Sequence, residues 1–355
     1  MYFFYNTILL MKILDDIKLD FSDVLLLPKR SPYSSRSEVS LERTLKFKYS
    51  TYEWTGIPIM VSNMDTTGTI EMAMELQKHK VITCLHKYYT WRDIPQDLDK
   101  NYYAVTSGIK IADIKNLDEI MDHVDPKIIC LDVANGYMSL FIDVCRQVRE
   151  KYPDKIIIAG NICTSEGVLD LAMNGKVDII KVGIGNGSCC TTRKQTGIGM
   201  PQLSAVIECS DTAHGIDVHI VSDGGIQVNG DFSKAYAAGA DFVMSGSMFA
   251  AHKESAGELI EENDKQYKIF YGMSSTTAMN KYSGGVAKYR SSEGKTVKIE
   301  YRGPIENTIL EILGGIRSCM TYLGSKKIKD IPKCATFIKV NRQLNQIYNG
   351  KEINY

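Results

Sequence analysis

The chain has 355 residues, 44% of them hydrophobic and 24% charged, with 42 basic residues balanced by 42 acidic ones. This composition excludes an intrinsically disordered chain, and zero net charge removes electrostatic attraction to nucleic acid or to an anionic membrane as the main mode of binding. The nine cysteines follow neither a disulfide framework nor the paired CxxC spacing of a zinc site, so free thiols in a reducing, cytoplasmic setting are expected.

In chain order, the N-terminal MYFFYNTILLMK is apolar, but no basic residue precedes it and no small-residue cleavage site follows. It reads poorly as a signal peptide. Met11 offers an alternative start, which makes residues 1–10 an extension. No apolar run approaches the roughly 20 residues that span a bilayer. A small molecule held in a pocket is the expected partner, with neither nucleic acid nor membrane.

From residue 57 onward, eight short apolar runs recur: 57–63, 81–86, 102–107, 127–133, 155–161, 177–183, 218–225 and 241–246. Near-continuous runs, as opposed to alternating ones, mark strands buried on both faces of a parallel sheet. Their usual spacing of about 21–27 residues suits a strand followed by a helix, and eight such units close a (β/α)₈ barrel. The chain is therefore expected to be α/β, one barrel domain over residues 1–355. A doubly wound open sheet shares the rhythm, but eight strands and the lack of a GxGxxG turn after the first strand weigh against it. Cys84, Cys130 and Cys163, within or at the ends of these runs, read as small core hydrophobes.

The strands end in Asn63, His86–Lys87, Ser107, Asp132, Asn161, Gly183, Asp223–Gly224–Gly225 and Gly246–Ser247. In a barrel all of these lie on the C-terminal rim, where barrel enzymes place their chemistry. Two intervals interrupt the rhythm: a glycine-rich loop of about residues 183–200 after strand six, and a segment of about residues 266–302 after strand eight. Long loops in compact domains are commonly lids or binding loops.

The first interval contains GNGSCCTTR, with Cys190 between Ser188 and Thr191–Thr192 and with Arg193 close behind. Hydroxyls, a cation and the amides of a glycine loop suit a thiolate nucleophile. A structural glycine turn with an incidental cysteine suits the spacing equally well. Asp223–Gly224–Gly225 and Gly246–Ser247 stand where barrels hold phosphate, and Gly272–Met273–Ser274–Ser275 could complete the cup at a helix start. Because an aspartate suits a ribose diol better than a phosphate, a nucleoside monophosphate fits.

The segments SNMDT (62–66), HKYY (86–89), LDVANGY (131–137), AGNICT (159–164), KVGIGNGSCCTTR (181–193), GMPQLSAV (199–206), SDGGI (222–226), YGMSS (271–275) and EGKT (293–296) resemble, in this order, the IMP dehydrogenase and GMP reductase family. The resemblance implies a barrel in which Cys190 bonds to purine C2. It implies nucleotide contacts from Asp223, Gly224, Gly225, Gly246, Ser247, Gly272, Met273 and Ser274, and from Arg290, Ser291, Ser292 and Gly294 of the flap. Gly185, Gly187, Cys190 and Arg193 match positions that coordinate potassium. Lys87, Asp132, Val133, Ala134, Ile184, Gly185 and Ser318 match positions near NADPH, and Ser35–Arg36 a stretch supplied by a neighbouring subunit, which implies a homotetramer.

Within that family the reductive branch is favoured. The flap carries Ser292–Glu293–Gly294 where the oxidative branch carries glutamine, and no Arg-Tyr dipeptide occurs. The expected reaction takes GMP and NADPH to IMP, ammonia and NADP⁺, with Cys190 as nucleophile and with Thr192 and Glu293 delivering the proton to the leaving amine. The alternatives are IMP oxidation, a nucleotide-binding regulator without catalysis, and, more distantly, a flavin barrel enzyme. Three departures stand out: Asn186 where a proline is usual, Cys189 beside the nucleophile, and Ser245–Gly246–Ser247 in place of an LGG-like turn.

Overall fold

The apolar runs become eight parallel strands hydrogen-bonded in a closed ring: β1 (Ile59–Val61), β2 (Ile82–Leu85), β3 (Tyr103–Ser107), β4 (Ile128–Asp132), β5 (Ile156–Ile162), β6 (Ile179–Val182), β7 (His219–Asp223) and β8 (Phe242–Ser245). Successive side chains of a strand point to opposite faces, and this alternation divides the core. Met60, Cys84, Cys130, Ile158, Ile179, Val221 and Met244 fill the interior, while Val61, Leu85, Leu131, Ile157, Ile180 and Val243 pack outward under the helices. Carrying the inward rows one step further toward the mouth gives Asp132 after Cys130, Lys181 after Ile179 and Asp223 after Val221. The structure, a computed structural model, describes residues 13–341. The extension 1–10 and the alternative start at Met11 lie outside the described residues.

The helices are α1 (Ile70–Leu76), α2 (Ile111–His123), α3 (Ser139–Lys151), α4 (Ser165–Leu169), α5 (Thr192–Thr196), α6 (Gln202–Gly215), α7 (Asn229–Ala237), α8 (Thr276–Ser283), α9 (Ile305–Leu323) and a single turn, α10 (Ile331–Cys334). One βα unit departs from the expected pattern. Residues 86–101, after β2, fold as turns without an α-helix. There Asp93 Oδ2 accepts from both the backbone N–H and the hydroxyl of Thr90, at 2.7 and 2.8 Å. Such local bonds compete with a helical ladder, and Pro95 would break any helix continuing from the residues before it.

A hairpin, Arg43–Lys46 with Glu53–Gly56, closes the N-terminal end of the barrel. Its Leu45 and Trp54 join the interior, and the Trp54 ring lies 5.1 Å from that of Phe242. Two buried carboxylates brace the same end. Asp178 pairs with Arg149, and Asp241 holds Arg43 at 3.1 Å, His214 at 2.9 Å and His219 at 3.4 Å.

Between β8 and α9 the chain forms an antiparallel sheet, β9 (Leu259–Glu262), β10 (Lys265–Tyr271) and β11 (Thr296–Glu300), with α8 inserted between β10 and β11. This flap sheet starts at Leu259, ahead of residue 266. Among the described residues no helix is long and apolar enough to cross a membrane.

Candidate active site

The C-terminal mouth of the barrel holds a cleft of about 290 Å³, near the small end of the range for sites that take small molecules. Its floor is the inward row continued. Lys181, 2% exposed, extends its ammonium between Asp132 Oδ1 at 2.5 Å, Asp223 Oδ2 at 3.3 Å and Asn63 Oδ1 at 3.3 Å. Burial works against that charge, but the two carboxylates outweigh it and hold the ammonium well above the ordinary lysine range. Asn161 Nδ2 donates to Asp223 Oδ2 at 2.9 Å and to the Gly183 carbonyl at 2.8 Å.

The loop after β6 forms one wall. It passes so close to the end of β7 that a Cβ on Gly183 would meet the Asp223 carbonyl oxygen at 2.2 Å, which requires glycine there. Asn186 fastens the loop, its Nδ2 donating to the Asp223 carbonyl at 2.8 Å. The amide thus replaces the rigidity that a proline would bring with a tether. Arg193 braces the back, bonding to Asp20 at 3.1 Å and to the Met200 carbonyl at 2.7 Å.

Cys190 lines the cleft. Its Sγ–H donates to Thr192 Oγ1 at 3.2 Å, and the Thr192 hydroxyl donates to Glu293 Oε2 at 2.7 Å. Thr192 and Glu293 are 101 residues apart, and the flap brings them together through backbone bonds. Thr191 N–H donates to the Glu293 carbonyl at 2.8 Å, Glu293 N–H to the Ser274 carbonyl at 3.0 Å, and Lys295 N–H to the Cys189 carbonyl at 2.9 Å. A Cβ on Gly294 would approach Ser275 N to 2.8 Å, so this crossing also requires glycine. Cys189 turns its side chain into a small cluster with Ala250 and Phe270, where burial pushes its thiol up.

Asp223, Gly224, Gly225, Gly246, Ser247, Gly272, Met273 and Ser274 share the cleft with Asp132, Val133, Ala134, Ile184, Gly185 and Gly187. Four of these have engaged side chains: Asp132 Oδ1 meets Lys181, and Met273 Sδ accepts from the Asp65 N–H at 3.5 Å. The Ser247 hydroxyl donates to the Ile226 carbonyl at 2.9 Å, and Asp223 uses one oxygen on Lys181 and Asn161.

Other residues lie elsewhere. Ser292 points back to the Ser274 and Gly294 carbonyls, while Arg290 and Ser291 are exposed on the flap. Lys87 faces Asp113 at 3.5 Å. Ser35 and Arg36 sit on an exposed turn packed against α9, the helix that carries Ser318. The Arg193 guanidinium faces away from the cleft. Sequence reasoning missed Lys181. The available signal was a lysine at an inward position of an apolar strand, where charge is rare unless paired. All nine cysteines are free, and among the described residues no cluster of His, Cys, Asp and Glu could hold a metal ion.

A parallel eight-stranded barrel with a cysteine on the loop after β6, a carboxylate floor and a flap returning an acid to that cysteine defines a class of α/β barrel with a thiol and a carboxyl side by side at its mouth. The family model for the IMP dehydrogenase / GMP reductase domain matches residues 18–345. The chain is 53% identical over 339 residues to GMP reductase 1 of Mus musculus, covering 94% of this chain and 98% of that protein. It is 52% identical over 339 residues to GMP reductase of Phytophthora infestans, covering 94% and 93%, and 52% identical over 343 residues to GMP reductase 2 of Homo sapiens, covering 94% and 98%. The chain belongs to the IMP dehydrogenase / GMP reductase family, and so to the oxidoreductases.

Proposed function

We propose that the chain reduces GMP to IMP, in the balanced reaction GMP + NADPH + 2H⁺ → IMP + NH₄⁺ + NADP⁺. The observation that carries this direction is the chain of hydrogen bonds from Cys190 through Thr192 to Glu293. Loss of an amine from C2 needs a proton donor beside the nucleophile, and here a carboxyl stands one hydroxyl away from the thiol.

In this reading the Cys190 thiolate adds to C2. The Thr192 hydroxyl passes a proton from Glu293 to the 2-amino group, which leaves as ammonia, and a C2–Sγ thioimidate remains. NADPH, when bound, supplies the hydride to C2. The C2–Sγ bond then breaks, IMP is released and Cys190 recovers its electron pair. Asp223 Oδ1, without a partner among the described residues, is free to accept from the ribose hydroxyls. The phosphate falls to the Gly224–Gly225, Gly246–Ser247 and Gly272–Ser274 turns, with Arg290, Ser291, Ser292 and Gly294 closing over from the flap.

The cofactor is assigned to the side of the cleft lined by Asp132, Val133, Ala134, Ile184 and Gly185, with Lys87 at its edge. Asp132 keeps Oδ2 for it, and Lys87 brings the cation that a 2′-phosphate attracts. Ser35, Arg36 and Ser318, away from this chain's own cleft, are assigned to a neighbour's site in a homotetramer. A potassium ion is assigned to the carbonyls of Gly185, Gly187, Cys190 and Arg193. Two of these, Gly187 and Arg193, already accept an N–H, from Cys190 at 2.9 Å and from Gly197 at 3.1 Å, and each keeps a second lone pair. A cytoplasmic location accords with nine free cysteines.

The test is direct. The purified protein should oxidise NADPH only when GMP is present, and NAD⁺ reduction driven by IMP would overturn the proposal. Cys190→Ala should abolish both turnover and the covalent adduct. Glu293→Gln should still bind GMP but lose at least about 10²-fold in turnover, as expected for a missing general acid. Ordinary turnover in either variant would count against these roles.

A further inference from the structure

The carboxylates assigned above to the two ligands share one counter-ion. Asp132 ends β4, Asp223 ends β7, and the Lys181 ammonium reaches both from β6. Space for this crossing is built into the neighbouring strand, since a Cβ on Gly160 would meet both Lys181 Cβ and the Lys181 carbonyl at 2.5 Å. The ammonium donates to Asp132 at the end of β4 and, at 3.3 Å, to Asn63 after β1, and it forms an ion pair with Asp223 at the end of β7. Asp223 Oδ1 and Asp132 Oδ2 have no partner among the described residues and belong to cleft-lining side chains.

We propose that Lys181 is a positioning residue that couples the nucleotide half of the site to the cofactor half. The ammonium divides its attraction between two carboxylates. When ribose hydroxyls donate to Asp223, part of that carboxylate's charge is satisfied, and its pull on the ammonium weakens. Lys181 then holds Asp132 more firmly in the orientation that accepts the cofactor. GMP therefore tightens cofactor binding and, because linkage is reciprocal, the cofactor tightens GMP by the same factor.

This inference rests on the proposed nucleotide and cofactor assignments, so wild-type GMP-dependent NADPH oxidation is measured first, and its absence strikes that reading before Lys181 is at issue. The coupling is then read by calorimetry without turnover, as the Kd of NADP⁺ with and without saturating GMP. In the wild type GMP should lower this Kd by about fivefold or more. In Lys181→Met the ratio should fall to one. Since that variant leaves two carboxylates facing each other, Lys181→Met/Asp132→Asn is measured beside it. It removes the repulsion, keeps the shape and should also give a ratio of one. A ratio of one in an active wild type, or a wild-type ratio in either variant, overturns the proposal.

Discussion

Cys189 and Cys190 are adjacent in the chain but have opposite surroundings. Cys189 is 5% exposed among Ala250, Phe270 and neighbouring apolar side chains, whereas Cys190 opens on the cleft with a hydroxyl at 3.2 Å. Only a thiolate reacts, and burial pushes the Cys189 thiol up. Brief treatment of the native protein with iodoacetamide should therefore label Cys190 and spare Cys189, as read by fragment masses of the peptide 182–193; preferential labelling of Cys189 would contradict the geometry. Asn186 is a second case. Its single bond to the Asp223 carbonyl should be worth about 1 kcal/mol, so Asn186→Ala should lower unfolding stability in urea by that amount and loosen the loop that carries Cys190. Cys190 and Glu293 were legible as residue types in motifs. Lys181 was not, because its importance lies in three partners that the sequence places 49, 42 and 118 positions away.

The flap is held at two ends. One is the backbone lacing of residues 293–295 to the Cys190 loop and to residues 272–274. The other is a buried carboxylate: Asp65, after β1, accepts from Tyr271 at 2.5 Å, Tyr282 at 2.7 Å and Lys281 at 3.0 Å. Tyr88 stacks on Tyr282 at 3.6 Å, which secures α8 from the β2 side. Removing the carboxylate strands the buried Tyr271 hydroxyl, at a cost of about 1–3 kcal/mol, while the half-exposed Lys281 ammonium turns to water. Asp65→Ala should therefore loosen the flap tip, and trypsin should cut after the exposed Lys288 or Arg290 several-fold faster than in the wild type; an unchanged rate would show that the backbone lacing alone secures the flap. The barrel strands were readable as elements because each buries both faces and is a near-continuous apolar run. The flap strands were not, since β9 and β11 are largely exposed and carry no comparable pattern.

At the scale of the molecule the two ends of the barrel are used differently. The C-terminal mouth leaves carboxylate oxygens for ligands, while the N-terminal end is sealed by Trp54, Leu45 and the two buried carboxylates. Burial opposes ionisation of Asp241, yet His214 and His219 hold its carboxyl well below the usual range. Burial likewise opposes charge on His219, which Asp241 overcomes to raise its pKa. The signs follow from linkage. The lowered carboxyl contributes stability above its unfolded value near 3.9, and that contribution is lost as the pH falls. The raised histidine contributes fully below about 6.5, and its contribution is lost as the pH rises through the raised value. The stability difference between wild type and Asp241→Asn should therefore be largest between about pH 4 and 6.5 and shrink on both sides. A difference independent of pH in urea unfolding would rule out this ion cluster as its source.

The sequence by itself determined the barrel, because two-sided burial writes an apolar run at every strand, followed by a polar residue or a glycine at every strand exit. It also determined the chemistry of the mouth, through residue types at those exits and in the Cys190 loop. Only the tertiary structure decided which of those groups meet. Closing the ring turns Asp132, Lys181 and Asp223 onto one axis, and folding the flap back sets Glu293 on Thr192. Hydrogen bonds act over about 3 Å, whereas the residues that form them here stand up to 118 positions apart in the chain.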